Sequence, residues 1–177
     1  MGKEGFNKFI AVFILLIVLT LLKGWFSYSY ALVWFGLLMG FYLPIIDHII
    51  YAFILRPELE VSKNIRSMIS VKRAKELVSY IKQTQEERQK LIIHTAYFQI
   101  VFLLLTFFIL TSSSSLFGRG LVYGLSLALF IEELFYFREK GNLDRWFSEM
   151  KITLDANRTK LYLYAVGFVV LILTIIL

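Results

Sequence analysis

The chain contains no cysteine, two histidines and two prolines in 177 residues. The missing cysteine excludes disulfides and thiolate metal sites and leaves the redox compartment undetermined. Charge is scarce as well. Only 18% of residues are charged and 58% are hydrophobic, too apolar for a soluble domain of this size and typical of a chain solvated by lipid. The net charge of +6 is read first as lysine and arginine in cytoplasmic loops rather than as a nucleic-acid footprint. Internal repeats are not visible, and Ser112 to Ser115 is the one low-complexity stretch.

What is present is a series of long apolar runs. They cover residues 9–22, 30–55, 91–110, 121–137 and 161–177. A membrane-spanning helix needs roughly 20 residues, with about 17 tolerated. The first run reaches that length only if Phe6 and Lys23 contribute, with the lysine head snorkelling to the interface. The expected fold class is therefore all-α, a polytopic membrane helical bundle. One integral membrane domain fills residues 1–177, with five transmembrane helices.

Positive charge sets the orientation. Of the 19 lysines and arginines, only Lys23 and Arg119 fall outside if the N-terminus is cytoplasmic. That imbalance places the N-terminus inside and the C-terminus outside a bacterial inner membrane. Trp25, Phe26, Tyr28, Tyr30 and Trp34 then form an aromatic belt at the outer surface. A second reading of the first run stays open. Lys3 and Lys8 before an apolar stretch, with Ser27-Tyr28-Ser29 after it, resemble a signal peptide. The bulky aromatics just after the run favour an uncleaved anchor.

Two inner segments carry helical periodicity. In residues 71–90, Ala74, Leu77, Val78 and Ile81 mark an apolar face. In residues 143–154, Leu143, Trp146, Phe147, Met150 and Leu154 do the same, after a Gly141-Asn142 stop. Both are expected as amphipathic helices on the cytoplasmic leaflet, apolar side down, with basic residues toward anionic lipids.

Five polar groups interrupt the apolar runs: Asp47, His48, His94, Glu132 and Glu133. Each costs roughly 2.5–3.5 kcal/mol near a helix centre, so each needs a partner or a task. In the expected topology they share one layer near the inner boundary, about 6–14 Å from the flanking charges at about 1.5 Å per residue. Two G-x-x-x-G patterns, Gly36 to Gly40 and Gly120 to Gly124, allow close helix approach. If those faces pack together, Asp47 and Glu132 point toward each other. The same faces are the surface a homo-oligomer would use. Pro44 breaks the hydrogen-bond ladder just before Asp47. Thr95, Gln99 and Thr106 form a polar stripe beside His94, and Glu133 shares a face with Ser126.

Imidazole and carboxylate without thiolate suit zinc, manganese or iron. Asp47, His48, His94 and Glu132 are the expected ligands of a divalent metal, with Glu132 or Glu133 as general base to a metal-bound water. Adjacent residues on a straight helix diverge by about 100°, so neither Asp47 with His48 nor Glu132 with Glu133 can aim at one point unaided. Plainer roles compete: His48 as a hydrogen-bonded bundle residue, His94 near headgroups, and the two glutamates paired with Arg138 or Lys140.

The stretch Leu43-Pro44-Ile45-Ile46-Asp47-His48, preceded by Gly40, resembles the LPDxDH-like motif of the bacterial membrane-bound metal-dependent hydrolase family. His94-Thr95-Ala96-Tyr97 is similar to that family's THS-like turn into a helix. Glu132 or Glu133 matches its later acidic position. The resemblance runs from Gly40 to Phe137 and implies a metal-dependent hydrolase. Several ligand positions differ: Ile45 replaces an aspartate, and the histidines expected near the N-terminus, before His94 and before the late acid are missing. The resemblance thus implies a weakened or inactive relative. A non-catalytic scaffold that binds lipid or a partner, and a small transporter or proton relay, are the competing classes.

Overall fold

The computed structural model describes residues 3–71, 73–84, 91–150 and 154–177. Among these residues there are helices and no strands. Helix α1 covers Lys3–Lys23, α2 Ala31–Tyr42 and α3 Pro44–Ile50; a π-helical turn over Tyr51–Leu55 follows. Then come α4 (Glu60–Ser70), α5 (Ala74–Gln83), α6 (Ala96–Ser112), α7 (Leu116–Lys140), α8 (Asp144–Phe147) and α9 (Ala156–Ile176). Three stretches are long and apolar enough to cross a membrane: Tyr28–Leu55, Leu116–Lys140 and Ala156–Ile176. Two shorter apolar helices, Val12–Lys23 and Ala96–Ser112, correspond to the other two expected spans.

The helix ends follow from local chemistry. Thr95 caps α6, its hydroxyl accepting from the Phe98 N–H at 3.2 Å, and Ser115 caps α7 by accepting from Gly118 at 3.1 Å. Asp155 caps α9 through the Arg158 N–H at 2.8 Å. Gly141 ends α7 at φ 76°, a left-handed conformation that glycine adopts without strain. The stop expected there is present. Pro44 cannot donate to Gly40, and that carbonyl instead accepts from the Leu43 N–H at 3.1 Å.

Three expected boundaries change. The third apolar run begins as a bend through Ile92–Thr95, so His94 precedes its helix instead of lying inside it. Thr95 is extended (φ −123°, ψ 145°), as a capping residue must be, and that halts the helix. Within the inner helix expected over 71–90, α5 covers Ala74–Gln83, and a further helix, α4, precedes it across a break at Val71; residues 72 and 85–90 lie outside the described residues. Near 143–154 only α8 and a 3₁₀ turn (Ser148–Met150) form, and residues 151–153 lie outside the described set.

The chain divides into two compact units. The first contains Met1–Phe26 and Ile45–Leu91. In it Val61 and Ile65 of α4 pack with Ile81 of α5 and Ala52, flanked by Leu77 and Tyr80. The apolar side chains of Leu77 and Ile81, expected to face lipid, are instead turned onto α4.

The second unit contains Ser27–Pro44 and Ile92–Leu177. Its central helix is α7, buried without a break from Val122 to Leu129. Leu125 and Leu129 join Ala96, Leu143, Trp146, Phe147 and Leu163 in the main apolar cluster. On one side α2 meets α7 through the four glycines. A Cβ on Gly36 would strike the Phe117 carbonyl, and one on Gly40 the Leu121 carbonyl. Reciprocally, Gly120 lies on the Val33 carbonyl and Gly124 on that of Leu37. Contacts rise together along both helices, so α2 and α7 run parallel. On the other side α6 and α9 both run antiparallel to α7: Thr106 meets Ser126 while His94 meets Glu132, and Thr174 meets Tyr123 while Gly167 meets Phe130. Arg119 closes one end, donating to the Ile176 and Leu177 carbonyls at 3.0 and 2.8 Å.

The surface of this unit is inverted relative to a soluble protein. On α9, Leu161, Tyr164, Phe168, Leu171 and Ile175 are exposed, and on α6 Leu104 and Phe108. Gln99, Thr106, Ser126 and Glu133 are buried.

The glycine contact yields a test. Alanine is favoured over glycine in a helix by about 1 kcal/mol. Here the added Cβ would meet backbone that cannot move aside, at a cost of about 1–3 kcal/mol or more. Gly40→Ala and Gly124→Ala should each lower the thermal midpoint in detergent; a midpoint that rises would show that the helices are not packed this closely.

Candidate functional site

The polar side chains of the second unit converge along α7, and each has a definite neighbour. His94, in the bend before α6 and 3% exposed, places Nε2 2.7 Å from Glu132 Oε2. The Glu132 side chain is partly open, at 31%. Trp146 of α8 lies against the imidazole with ring centroids 5.8 Å apart, holding its plane. The pair ties the start of α6 to the last third of α7.

Glu133 takes a different direction. It is completely buried, and its Oε2 accepts from the Gln99 amide at 3.1 Å. The Gln99 carbonyl in turn accepts from the Tyr162 hydroxyl on α9 at 2.8 Å. The carboxylate side fixes the amide orientation, because a flipped Gln99 would set its carbonyl oxygen against an ionised Glu133, acceptor against acceptor. The relay therefore joins α9, α6 and α7 with one donor direction, from Tyr162 to Gln99 to Glu133. Further along, the Thr106 and Ser126 hydroxyls meet at 2.9 Å, and Tyr123 and Thr174 at 2.7 Å.

The polar stripe of Gln99 and Thr106, and the face shared by Glu133 and Ser126, are thus brought together as the helical spacing indicates. Glu132 pairs with His94, an arrangement absent from the expected alternatives of Arg138 and Lys140. Tyr162, Tyr123 and Thr174 escaped sequence reasoning. A tyrosine in an apolar helix reads as an interface residue, and only the helix packing reveals which hydroxyl turns inward.

Asp47 and His48 lie on α3, Asp47 fully buried and His48 7% exposed. They belong to the first unit from Ile45 onward. Among the described residues, no group of three or more His, Asp or Glu is placed to hold a metal ion. Of the expected ligands, Asp47 and His48 fall in the first unit and His94 and Glu132 in the second. On α7, Glu132 and Glu133, one residue apart, point about 100° from each other and find separate partners, His94 and Gln99.

What the arrangement can do is limited and specific. A carboxylate beside an imidazole can accept from it and hold its tautomer, and the two can exchange a proton. The Tyr162–Gln99–Glu133 relay can lock three helices together. No protein-family model, curated protein sequence or solved structure matches the chain.

The relay is testable. Tyr162→Phe leaves the Gln99 carbonyl without its donor and should cost roughly 0.5–2 kcal/mol of stability, the range seen for buried polar contacts in membranes. Gln99→Leu, which strands both Tyr162 and Glu133, should cost more. A double variant no worse than Gln99→Leu alone in thermal unfolding would show that the two groups act as one unit; full additivity would refute the relay.

Proposed function

We propose that the chain is a five-span inner-membrane protein, cytoplasmic at its N-terminus, in which the His94–Glu132 pair braces the bundle and no longer serves hydrolysis. The observation that carries this reading is the 2.7 Å contact between His94 Nε2 and Glu132 Oε2. It engages the candidate ligand and the candidate base with each other, while the second candidate base, Glu133, is held by Gln99. Descent from the metal-dependent hydrolases accounts for the LPxxDH-like and His-Thr stretches, with the lost ligand positions leaving a structural pair behind. Buried polar groups kept for architecture rather than chemistry make this a non-catalytic scaffold.

Helix direction supports this number of spans. Were Tyr28–Leu55 and Leu116–Lys140 successive crossings, α2 and α7 would be antiparallel. Their register is parallel, which supports a return crossing between them. The apolar helix available for it is α6, since α4 and α5 carry charged faces. At about 1.5 Å per residue its 17 residues cover about 25 Å. That is slightly short of a hydrocarbon core of about 30 Å, and a short helix is accommodated by local thinning. The apolar α1 supplies the fifth crossing.

Because the chain lacks cysteine, single cysteines report topology directly. Ser27→Cys and Ser114→Cys should react with an impermeant maleimide from outside intact cells. Lys3→Cys, Ser67→Cys and Ser148→Cys should react only after permeabilisation. Labelling of Ser67→Cys from outside would sink the assignment.

The loss of catalysis has its own test. Protein purified without chelator should hold no stoichiometric zinc, manganese or iron, and His94→Gln or Glu132→Gln should lower thermal stability by about 1–3 kcal/mol, the cost of breaking a buried pair. One equivalent of metal that disappears in His94→Gln would establish the metal-dependent reading instead.

A further inference from the structure

The groove between α7 and α9 ends at a pair of cations that the proposed function does not use. The two helices approach closely where Gly167 of α9 lies on the Phe130 ring of α7; a Cβ at Gly167 would sit 2.9 Å from that ring. Lys160 lies seven residues before Gly167, and Arg138 eight residues after Phe130. Because the helices are antiparallel, both positions fall about 10–12 Å from that contact, toward the same end of the unit. The helical pitch also puts them on one side. Lys160, nearly two turns from Gly167, keeps to the α7 side of its helix and is about 160° round from Tyr162. Arg138 is about 140° round α7 from Glu133. Tyr162 and Glu133 are the residues that meet α6 through Gln99, so both cations flank the α7–α9 groove on the face away from α6.

Neither cation is neutralised. Both side chains are exposed, and neither has an ion-pair partner among the described residues. Nearby acids are turned elsewhere: Glu139 is about 100° further round α7, and Asp155 caps α9 and pairs with Arg158 at 4.0 Å. Among the described side chains from Arg138 to Lys160, five are basic and three acidic. Toward the middle of the spans the groove is apolar and open. Leu134, one turn from Arg138, is exposed, as are Tyr164, one turn from Lys160, and Leu171 beyond it. A guanidinium and an ammonium at one level, at the end of an apolar groove, match a phosphate joined to acyl chains.

We propose that this groove binds one anionic phospholipid, its phosphate between Arg138 and Lys160 and an acyl chain along Leu134, Tyr164 and Leu171. Arg138 supplies a planar fork that can take two phosphate oxygens, and Lys160 a compact charge. Lipid is favoured over an acidic protein because both cations stand at the ends of candidate spans, Leu116–Lys140 and Ala156–Ile176, and the groove continues the apolar exterior of those helices. A net negative headgroup is favoured over a zwitterionic one, whose own ammonium would lie against the cations. The site rests on α7 and α9 crossing the bilayer, and not on the number or direction of the other spans.

Native mass spectrometry of the full chain, released from detergent micelles that hold phosphatidylglycerol and phosphatidylcholine in equal amounts, reports the site. The protein should retain one phosphatidylglycerol in preference to phosphatidylcholine. Arg138→Gln and Lys160→Gln should each weaken that retention about fivefold, and the two together about twenty-five-fold. The charge-matched pair Lys63→Gln with Arg158→Gln should leave it unchanged. Equal retention of both lipids, or a loss as large in the charge-matched pair, would overturn the proposal. Retention of neither lipid would overturn it too, and leave the two cations to an acidic protein. If the double variant misfolds, phosphatidylglycerol should still raise the thermal midpoint of the full chain more than that of either single variant; equal shifts refute the site. A chain that stays in solution without detergent would refute the spans and the site together, whereas unchanged retention in the double variant refutes the site alone.

Discussion

The second unit depends on one contact, the backbone-to-backbone approach of α2 and α7 through Gly36, Gly40, Gly120 and Gly124. In lipid no hydrophobic force draws helices together, because the solvent is as apolar as leucine; close packing and polar contacts must do it. Four absent Cβ atoms let carbonyl oxygens of one helix lie against Cα atoms of the other. This contact fixes the register and rotation of α7, and so decides which of its residues face α6 and α9. Ser126 and Glu133 are turned toward α6 and Tyr123 toward α9 as a consequence.

With α7 positioned, the interior is built from polar pairs rather than apolar contacts alone. Burying Gln99, Thr106, Ser126 and Glu133 would be costly if any were left without partners. Each meets a group on a different helix, with Glu133 Oε1 alone of their side-chain oxygens and nitrogens buried without a hydrogen-bond partner. The energy of a single such bond is modest, about 0.6 kcal/mol on average in a bilayer, so their main contribution is to specificity. A helix rotated by one residue would lose its polar partners and present them to lipid. The apolar exteriors of α6 and α9 set no rotation of their own, because lipid accepts any apolar residue equally.

The parts of this architecture that were legible in the sequence are those carried by small local patterns. The two G-x-x-x-G spacings, the Gly141 stop and the Gln99–Thr106 stripe all depend on residues within a few turns of one another. The parts that were not legible depend on partners far along the chain. Nothing local to Tyr162 announces that its hydroxyl meets an amide sixty-three residues away. The start of α6 was misplaced because apolarity continues through Leu91 and Ile93, whereas the helix waits for the Thr95 cap. The α4 helix was not anticipated for the opposite reason: Val61, Ile65 and Ile69 recur by fours, but they are isolated among polar residues.

The candidate site shows how far a local pattern can mislead once its geometry is fixed. Two adjacent glutamates in an apolar helix suggest a shared task, yet consecutive side chains diverge by about 100°. Bringing both to one ion would require α7 to rotate or unwind between Ile131 and Leu134. Rotation is opposed by the glycine contact, which begins two turns earlier and offers no slack, since carbonyl oxygens already occupy the places where Cβ atoms would sit. Unwinding would free backbone groups that a membrane interior cannot satisfy. The helix therefore keeps its pitch, and the two acids serve separate neighbours, Glu132 the imidazole and Glu133 the amide. The same packing that makes the bundle close enough to bury carboxylates is what keeps those carboxylates apart.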